Sequence, residues 1–290
     1  MAGRQRVELT ADREGERLDK LLAERLDGLS RARVQRMIEG GLVTVNRRTV
    51  KSNYRTRPGD LIVAQVIEEE PAGPEPEALP LDIVFEDDDL LVVNKPAGMV
   101  IHPAFGHQRG TLVNALLDYL PALEDGEQPD RPGIVHRLDM GTSGLIVVAK
   151  SGLMRRRLQA QFKGREVRKT YLALVEGRLT AAHGVVNAAL GRDPRRRKRI
   201  AVVPDGRPSV TEYHVLECFE HQTYVEAVPH TGRTHQIRVH MAYIGHPVVG
   251  DRVYGYRKQR LPLERLFLHA ARLVFRHPRT DEPIDLSISL

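Results

Sequence analysis

Cysteine is nearly absent, with Cys218 the only one in 290 residues. An internal disulfide framework is therefore excluded, and the composition fits a reducing compartment. Long hydrophobic runs are missing too. The most apolar stretches, DLLVVNK and GLIVVAK, fall far short of the ~20 residues that cross a bilayer. The opening MAGRQRVELTADREGERLDK holds no apolar segment of the kind an export signal needs. The expectation is a soluble cytoplasmic chain with no membrane partner. No paired cysteines, HExxH, Walker loop or dinucleotide fingerprint occurs, so neither metal nor cofactor is expected. His230, His235 and His240 recur every five residues, wrong for one helical face, and read as polar surface or RNA contacts. GTSG at 141–144 imitates a nucleophilic serine turn, but Leu145 stands where GxSxG requires its last glycine.

What is present can bury a core: hydrophobic residues make up 41% of the chain, enough for one large or two modest domains. Lys plus Arg total 44 against 38 acidic residues, a formal charge of +6 that favours polyanionic partners without specifying them. Composition changes once, at EEEPAGPEPEALP (68–80), which reads as a solvated, semi-stiff linker. It divides the chain into 1–67, with a core over 16–66, and 81–290.

In the first part, Leu18, Leu21, Leu22 and Leu26 recur at helical spacing and predict a helix over 16–26. Ser30 is the expected N-cap of a second helix with Val34, Met37 and Ile38 inside, stopped by Gly40 and Gly41. GLVTVNRRTV then alternates as a hairpin around Asn46, Arg47 and Arg48, and PGDLIVAQV adds a strand. Arg31, Arg33 and Arg36 crowd the second helix, and Arg47, Arg48 and Lys51 the adjoining hairpin. A solvated charged face is the ordinary explanation of such a run. Here the cations lie on two elements that must pack together, with very little acid between, which points to phosphate contact.

From residue 80 the pattern is rich in strands. IVFEDDDLLVVNKPAG reads as two strands around an acidic turn, and VRKTYLALVEG, TEYHVLECF and TYVEAVPH as three more. Helices are predicted over 112–120 and 153–162, and in THQIRVHMAYIG, where Ile237, Met241 and Ile244 keep helical spacing. Strands and helices do not alternate strictly, so the fold class is α+β with a mostly antiparallel sheet. Two basic stretches accompany these elements. Arg195, Arg196, Arg197, Lys198 and Arg199 form an expected mobile loop that touches RNA backbone. Of Arg155, Arg156 and Arg157, at most two can face RNA, since consecutive helical positions diverge.

VHRLDMGTSGL (135–145) sets one carboxylate, Asp139, on a loop between the short apolar runs GIV and LIVVAK. A carboxylate near a guanidinium stays ionised, with a lowered pKa, and can act as nucleophile or base without a cofactor. Taken alone, Asp139 beside Arg137 is better explained as a loop brace. No second acid is marked as its partner, as a glycosidase would need.

It does not stand alone. VVNKPAGMVIHP, GIVHRLDMGTSGLIVVAK, RKTYLALVEG and TGRTHQIRVHMAYIGHPVVGD follow in that order. Together they closely resemble the RluA-type family of RNA pseudouridine synthases over residues 80–285, and RLDKLLAERL, SRARVQRMIEGGLVTVN and PGDLIVA resemble the S4 RNA-binding domain. LPLDIVFEDDDLLVVNKP, HPAFGHQRGTLVNALLDYLP and GRDPRRRKRIAV look most like the members acting on a 23S ribosomal RNA stem-loop at the subunit interface. The resemblance implies a pseudouridine synthase fold, a mixed sheet flanked by helices, preceded by a small S4-like α/β unit. It implies Asp139 as the catalytic aspartate, Tyr171 as a tyrosine stacking on the base, and Arg238 as the arginine pairing with Asp139. Ile237 would form an apolar wall, and Arg137 would help displace the target nucleotide, offsetting an unstacking cost of a few kcal/mol. His136 and Thr142 are expected at the same substrate pocket. The small residues Gly141, Thr142, Ser143 and Gly144 are read as letting backbone approach the nucleotide.

The expected substrate is 23S ribosomal RNA or a large-subunit precursor particle, met by a monomer. Two other readings stay open: the same chemistry on another rRNA site or tRNA, and a non-catalytic ribosome assembly factor that only clamps RNA. Whether Asp139 attacks sugar or base, or removes a ribose proton, also stays open.

Overall fold

The computed structural model describes residues 4–26, 29, 31–67, 74–103, 107–121, 123, 132–196, 199–261 and 263–290. Ser30, Arg197 and Lys198 lie outside the described residues. The chain divides into two compact units, Met1–Ala72 and Gly73–Leu290.

The first unit runs β1 (Arg4–Thr10), α1 (Leu18–Arg25), α2 (Arg31–Glu39), β2 (Val43–Val45), β3 (Arg48–Thr49) and β4 (Leu61–Ile67). Its sheet has the order β1-β4-β2-β3, antiparallel throughout. The helical apolar spacing works as predicted. Leu18, Leu21 and Leu22 meet Val34, Met37 and Ile38, and both sets bury against Val43, Val45, Ile62 and Ala64. The hairpin turns at Asn46 and Arg47, both in the left-handed region with φ of 50° and 67°, a geometry that matches strand twist. Strand β1 was not anticipated, because RQRVELT offers only Val7 and Leu9 as alternating apolar positions.

Arg31, one of the expected phosphate contacts, remains exposed and also has a partner within the unit. Asp19 is wholly buried, and Arg17 (Nε 3.0 Å, Nη2 2.9 Å) and Arg31 (Nε 3.2 Å) donate to it. The Arg17 hydrogen bond, with help from Gln35 and Arg31, outweighs burial and holds the Asp19 carboxyl well below its usual range. Arg31 therefore braces α1 against α2, since a buried charge requires a partner. Arg36, Arg47 and Arg48 are exposed and Arg33 half-buried.

The second unit runs β5 (Ile83–Glu86), β6 (Leu90–Lys95), α3 (Leu112–Tyr119), β7 (Ser143–Ala149), α4 (Gly152–Gly164), β8 (Arg168–Glu176), β9 (His183–Asn187), β10 (Leu190–Arg192), β11 (Ile200–Val202), β12 (Val210–Cys218), β13 (Gln222–Pro229), α5 (Gln236–Tyr243), β14 (Leu268–Arg276) and β15 (Pro283–Ser287). Nine strands form one sheet in the order β5-β6-β7-β14-β8-β13-β12-β9, with β15 beside β14. β7 and β14 pair in parallel and the other neighbours are antiparallel. This is the α+β, mostly antiparallel architecture that the sequence predicts. β10 and β11 form a separate ribbon.

The uninterrupted apolar runs in β6 and β7 have a physical reason: these strands are covered on both faces. Leu91, Val93, Ile146 and Val148 pack with α3 and α5 residues Leu112, Leu116, Ile237 and Met241. Leu90, Val92, Leu145 and Val147 pack with α4 residues Met154 and Leu158 on the other side. Arg155 is buried on that helix, and Arg157 donates to the Pro278 carbonyl at 2.9 Å. The expected strand GIV before the Asp139 loop is reduced to a single bridge, Ile134 to Val148.

The linker differs from expectation in its second half. Glu77 N–H donates to Asn114 O at 3.0 Å, Asn114 Nδ2 to Glu75 O at 2.7 Å, and Gly110 N–H to Glu77 Oε2 at 2.7 Å. These bonds strap the chain onto the start of α3, where Thr111 and Asn114 form a capping box.

Gly144 joins the two parallel strands. Its φ is +113°, and a Cβ there would lie 2.3 Å from Ala270 O and 2.5 Å from Ala270 N. Gly144, the last of the small residues after Asp139, thus has a packing reason of its own at Ala270. Gly144→Ala combines backbone strain with a clash and should lower unfolding free energy by about 3 kcal/mol or more. Urea denaturation followed by circular dichroism would read this, and a loss below about 0.5 kcal/mol would contradict the close β7–β14 approach.

Candidate active site

Asp139 sits at the start of the tight turn that leads into β7. Thr142 N–H donates to Asp139 O at 3.0 Å, and Gly98 N–H donates to Met140 O at 2.7 Å, which ties the turn to the segment after β6. Lys95, at the end of β6, is fully buried, and its ammonium reaches Pro96 O at 2.8 Å, Met99 O at 2.9 Å and Met140 O at 3.4 Å. Burial pushes Lys95 down to about 8, partly opposed by the Asp139 charge. The Lys-Pro-Ala-Gly turn is therefore a floor for the aspartate loop.

Arg238 comes in from α5. Its Nη1 donates to Asp139 Oδ2 at 3.0 Å, while Nε and Nη2 form a two-pronged pair with Asp251 at 2.7 and 3.0 Å. Burial opposes the guanidinium charge, but Asp251 and then Asp139 more than offset it, raising the Arg238 pKa. Burial likewise acts to raise Asp251, and Arg238 with the N–H groups of Tyr254 and Val253 holds it low instead. Among the described residues no hydrogen bond reaches Asp139 Oδ1. No ion pair joins Arg137 to Asp139, so the loop-brace explanation is replaced by the Arg238 contact.

Tyr171 rises from β8 into the same space, 9% exposed. Burial, with the Asp139 charge as a second cause, raises its pKa and keeps the phenol neutral. A cavity of about 490 Å³ is lined by Arg137, Asp139, Tyr171, Ile237 and Arg238, and also by His136 and Thr142. That volume falls in the range of small-ligand sites. All seven catalytic and substrate residues expected from the sequence are thus brought together.

Their environments differ. Arg137 is exposed and Ile237 buried in the core. His136 Nε2 accepts Val147 N–H at 3.0 Å, and its ring stacks on Phe162 with centroids 4.5 Å apart. Burial, then the Lys169 cation, pushes His136 down to about 3, so it is a neutral wall. Thr142 is 2% exposed and its hydroxyl has no hydrogen-bond partner among the described residues. Lys163, Arg165, Lys169 and Arg233 also line the cavity, surrounding it with cations.

The histidines separate in kind. His230 pairs with Glu212 at 3.0 Å. His240 is fully buried, bonded to Thr211 Oγ1 at 2.8 Å and Ala188 O at 3.0 Å, which corrects its reading as surface or RNA contact. His235 precedes α5 with φ 57°, and its Nε2 lies 3.9 Å from Asp139 Oδ1. Its Nδ1 is 2.8 Å from the Tyr254 hydroxyl, which accepts Ile200 N–H at 3.0 Å. The Arg199 and Arg238 guanidinium carbons lie 5.0 and 5.1 Å from the Tyr254 ring centre. The basic stretch is no loose loop at its described ends. Asp193 Oδ1 accepts the N–H groups of Arg195 (2.8 Å) and Arg196 (3.1 Å), and Arg199 bonds Val253 O.

Asp251, Tyr254 and Lys95 are neighbours of the site that sequence reasoning missed, and His235 was read only as polar surface or an RNA contact. One signal pointed to the first: Arg238 lies between core positions Ile237 and Met241, and a buried guanidinium demands a second carboxylate.

The chain is similar to known proteins over most of its length. The profile of the RNA pseudouridylate synthase family matches residues 89–243, and that of the S4 domain residues 16–62. An uncharacterized RNA pseudouridine synthase of Bacillus subtilis is 45% identical over 98% of this chain and 94% of its own. Ribosomal large subunit pseudouridine synthase D of Escherichia coli is 42% identical over 94% of this chain and 88% of its own. The solved structure of human RNA Pseudouridylate Synthase Domain Containing 1 aligns with a TM-score of 0.60 at 30% identity, covering 74% of this chain and 85% of that one. The chain therefore belongs to the RNA pseudouridylate synthase family, as an isomerase with an S4 domain ahead of its catalytic unit.

Proposed function

We propose that the protein isomerises uridine to pseudouridine in large-subunit (23S) ribosomal RNA, acting as a monomer on free RNA or a precursor particle. The observation that carries the chemistry is the Asp139 carboxylate. One oxygen is held by Arg238 at 3.0 Å and the other is open to a cavity roofed by a neutral Tyr171. The identity with large-subunit synthases supports the choice of RNA.

The reaction is redox-neutral. The N1–C1′ bond breaks, the base turns, C5 bonds to C1′, and the proton lost from C5 is balanced by one gained at N1. Asp139 supplies the anionic oxygen for this exchange, and Tyr171 stacks on the base with a hydroxyl able to pass a proton. Ile237 closes the apolar wall, with Thr142 and His136 beside it. The detached base must not escape, so exclusion of water matters as much as the carboxylate. Arg137, exposed at the rim, enters the gap left by the flipped nucleotide. Arg31, Arg33, Arg36, Arg47 and Arg48 of the S4 unit, and Arg195 and Arg196 in the catalytic unit, contact phosphates. Arg197, Lys198 and Arg199 belong to the same basic stretch.

Carbodiimide-blocked primer extension on ribosomal RNA and tRNA, from cells with and without the gene, tests the assignment. Loss of pseudouridine from large-subunit RNA alone is expected, and loss from tRNA alone would move the substrate elsewhere. Tyr171→Phe should slow single-turnover conversion by about a hundredfold while leaving the RNA dissociation constant within about threefold. Equal losses in both would count against a chemical role. Replacing Arg36, Arg47 and Arg48 with alanine should reduce the slope of log affinity against log salt by about 2 to 3. An unchanged slope would refute the phosphate contacts assigned to the S4 unit.

A further inference from the structure

Tyr254 does not line the cavity, yet three parts of the site converge on it. Its ring lies beside the Arg238 and Arg199 guanidinium groups, and its hydroxyl joins Ile200 N–H to His235 Nδ1. The phenol has one hydrogen. Its oxygen already accepts from Ile200 at 3.0 Å, and His235 Nδ1 stands 2.8 Å away.

Two tautomers of His235 can be compared. With hydrogen on Nδ1, the phenol would accept twice, and its own hydrogen would have no acceptor among the described residues. The bare Nε2 lone pair would also face the Asp139 carboxylate at 3.9 Å, which is repulsive. With Nδ1 bare, the phenol donates to it and an Nε2–H faces Asp139 Oδ1. The second arrangement gives the phenol hydrogen an acceptor and puts an N–H, not a lone pair, toward the carboxylate. The left-handed backbone at His235, φ 57°, is uncommon for a residue with a Cβ and sets the ring in this place.

We propose that Tyr254 is a positioning residue for the isomerisation: its hydroxyl fixes His235 as the tautomer whose Nε2–H faces the free oxygen of Asp139. Arg238 holds Oδ2, and at 3.9 Å the imidazole N–H orients Oδ1 without taking up its lone pair. The reacting oxygen is thus chosen by two flanking donors. Burial, stronger than the pull of Asp139, keeps the His235 pKa below its ordinary value, which leaves the ring in the neutral form required. Because Ile200 opens the strand after the basic turn, Tyr254 also ties that turn to the carboxylate.

The inference rests on the proposed synthase activity, and a full-length Tyr254→Phe variant tests it. The phenyl ring preserves both cation contacts and removes only the hydroxyl. Single-turnover conversion of ribosomal RNA should fall about tenfold, with the RNA dissociation constant within about twofold. ¹⁵N-histidine NMR of the wild type should show His235 with Nδ1 bare and Nε2 protonated, and the variant a mixture of tautomers. An Nδ1-protonated wild type, an undiminished rate in the variant, or equal losses in rate and binding would each overturn the proposal. Wild-type protein that makes no pseudouridine would sink the functional reading instead, while the NMR result still decides the tautomer.

Discussion

The whole catalytic unit turns on one guanidinium shared by two acids. Taking Arg238 out of water costs several kcal/mol, and the two-pronged pair with Asp251 offsets this while fixing the plane of the group. An N–H of Nη1 then points at Asp139. A single pair would have been neutral and closed. Two acids around one cation leave a net negative charge and one open oxygen on the cavity side. Position follows from the fold: α5 delivers Arg238, the turn after Gly250 delivers Asp251, and the turn before β7 delivers Asp139.

Around that centre the other ionisable groups are held neutral or satisfied. Tyr171 is kept as a phenol by burial, His136 is kept uncharged against Phe162, and Lys95 is placed among three carbonyl oxygens beneath the aspartate loop. Charge in the cavity is therefore concentrated on Asp139 and on the cations at its edge. Cations at the rim favour a polyanionic partner.

Much of this was legible before the structure. Helical leucine spacing and the Asn46–Arg47 hairpin gave the outline of the S4 unit, and unbroken apolar runs marked the doubly covered strands β6 and β7. The motif words brought Asp139, Tyr171 and Arg238 to one place, because each lies inside a long characteristic block. Partnerships across distant segments were not legible. Asp251 and Tyr254 reach the site through a turn whose local sequence gives no sign of what it faces, and His240 looked like a surface residue until β12 covered it. The glycine and serine after Asp139 were assigned to the substrate, and Gly144 also answers to the backbone of Ala270 on a strand more than a hundred residues later. β1 escaped notice because an edge strand with two apolar residues barely alternates, and the pairing of Arg31 with Asp19 because a buried Asp19 cannot be seen from composition.

In the proposed reaction a single open carboxylate oxygen, that of Asp139, performs the isomerisation. Its most direct test is single-turnover conversion of ribosomal RNA by Asp139→Asn, with RNA affinity measured on the same preparation. Asparagine keeps the volume and can still accept from Arg238, so folding and binding should stay near wild type. The rate should drop by more than about a thousandfold, or ~4 kcal/mol of transition-state stabilisation. Conversion at a rate within about tenfold of wild type would contradict the account.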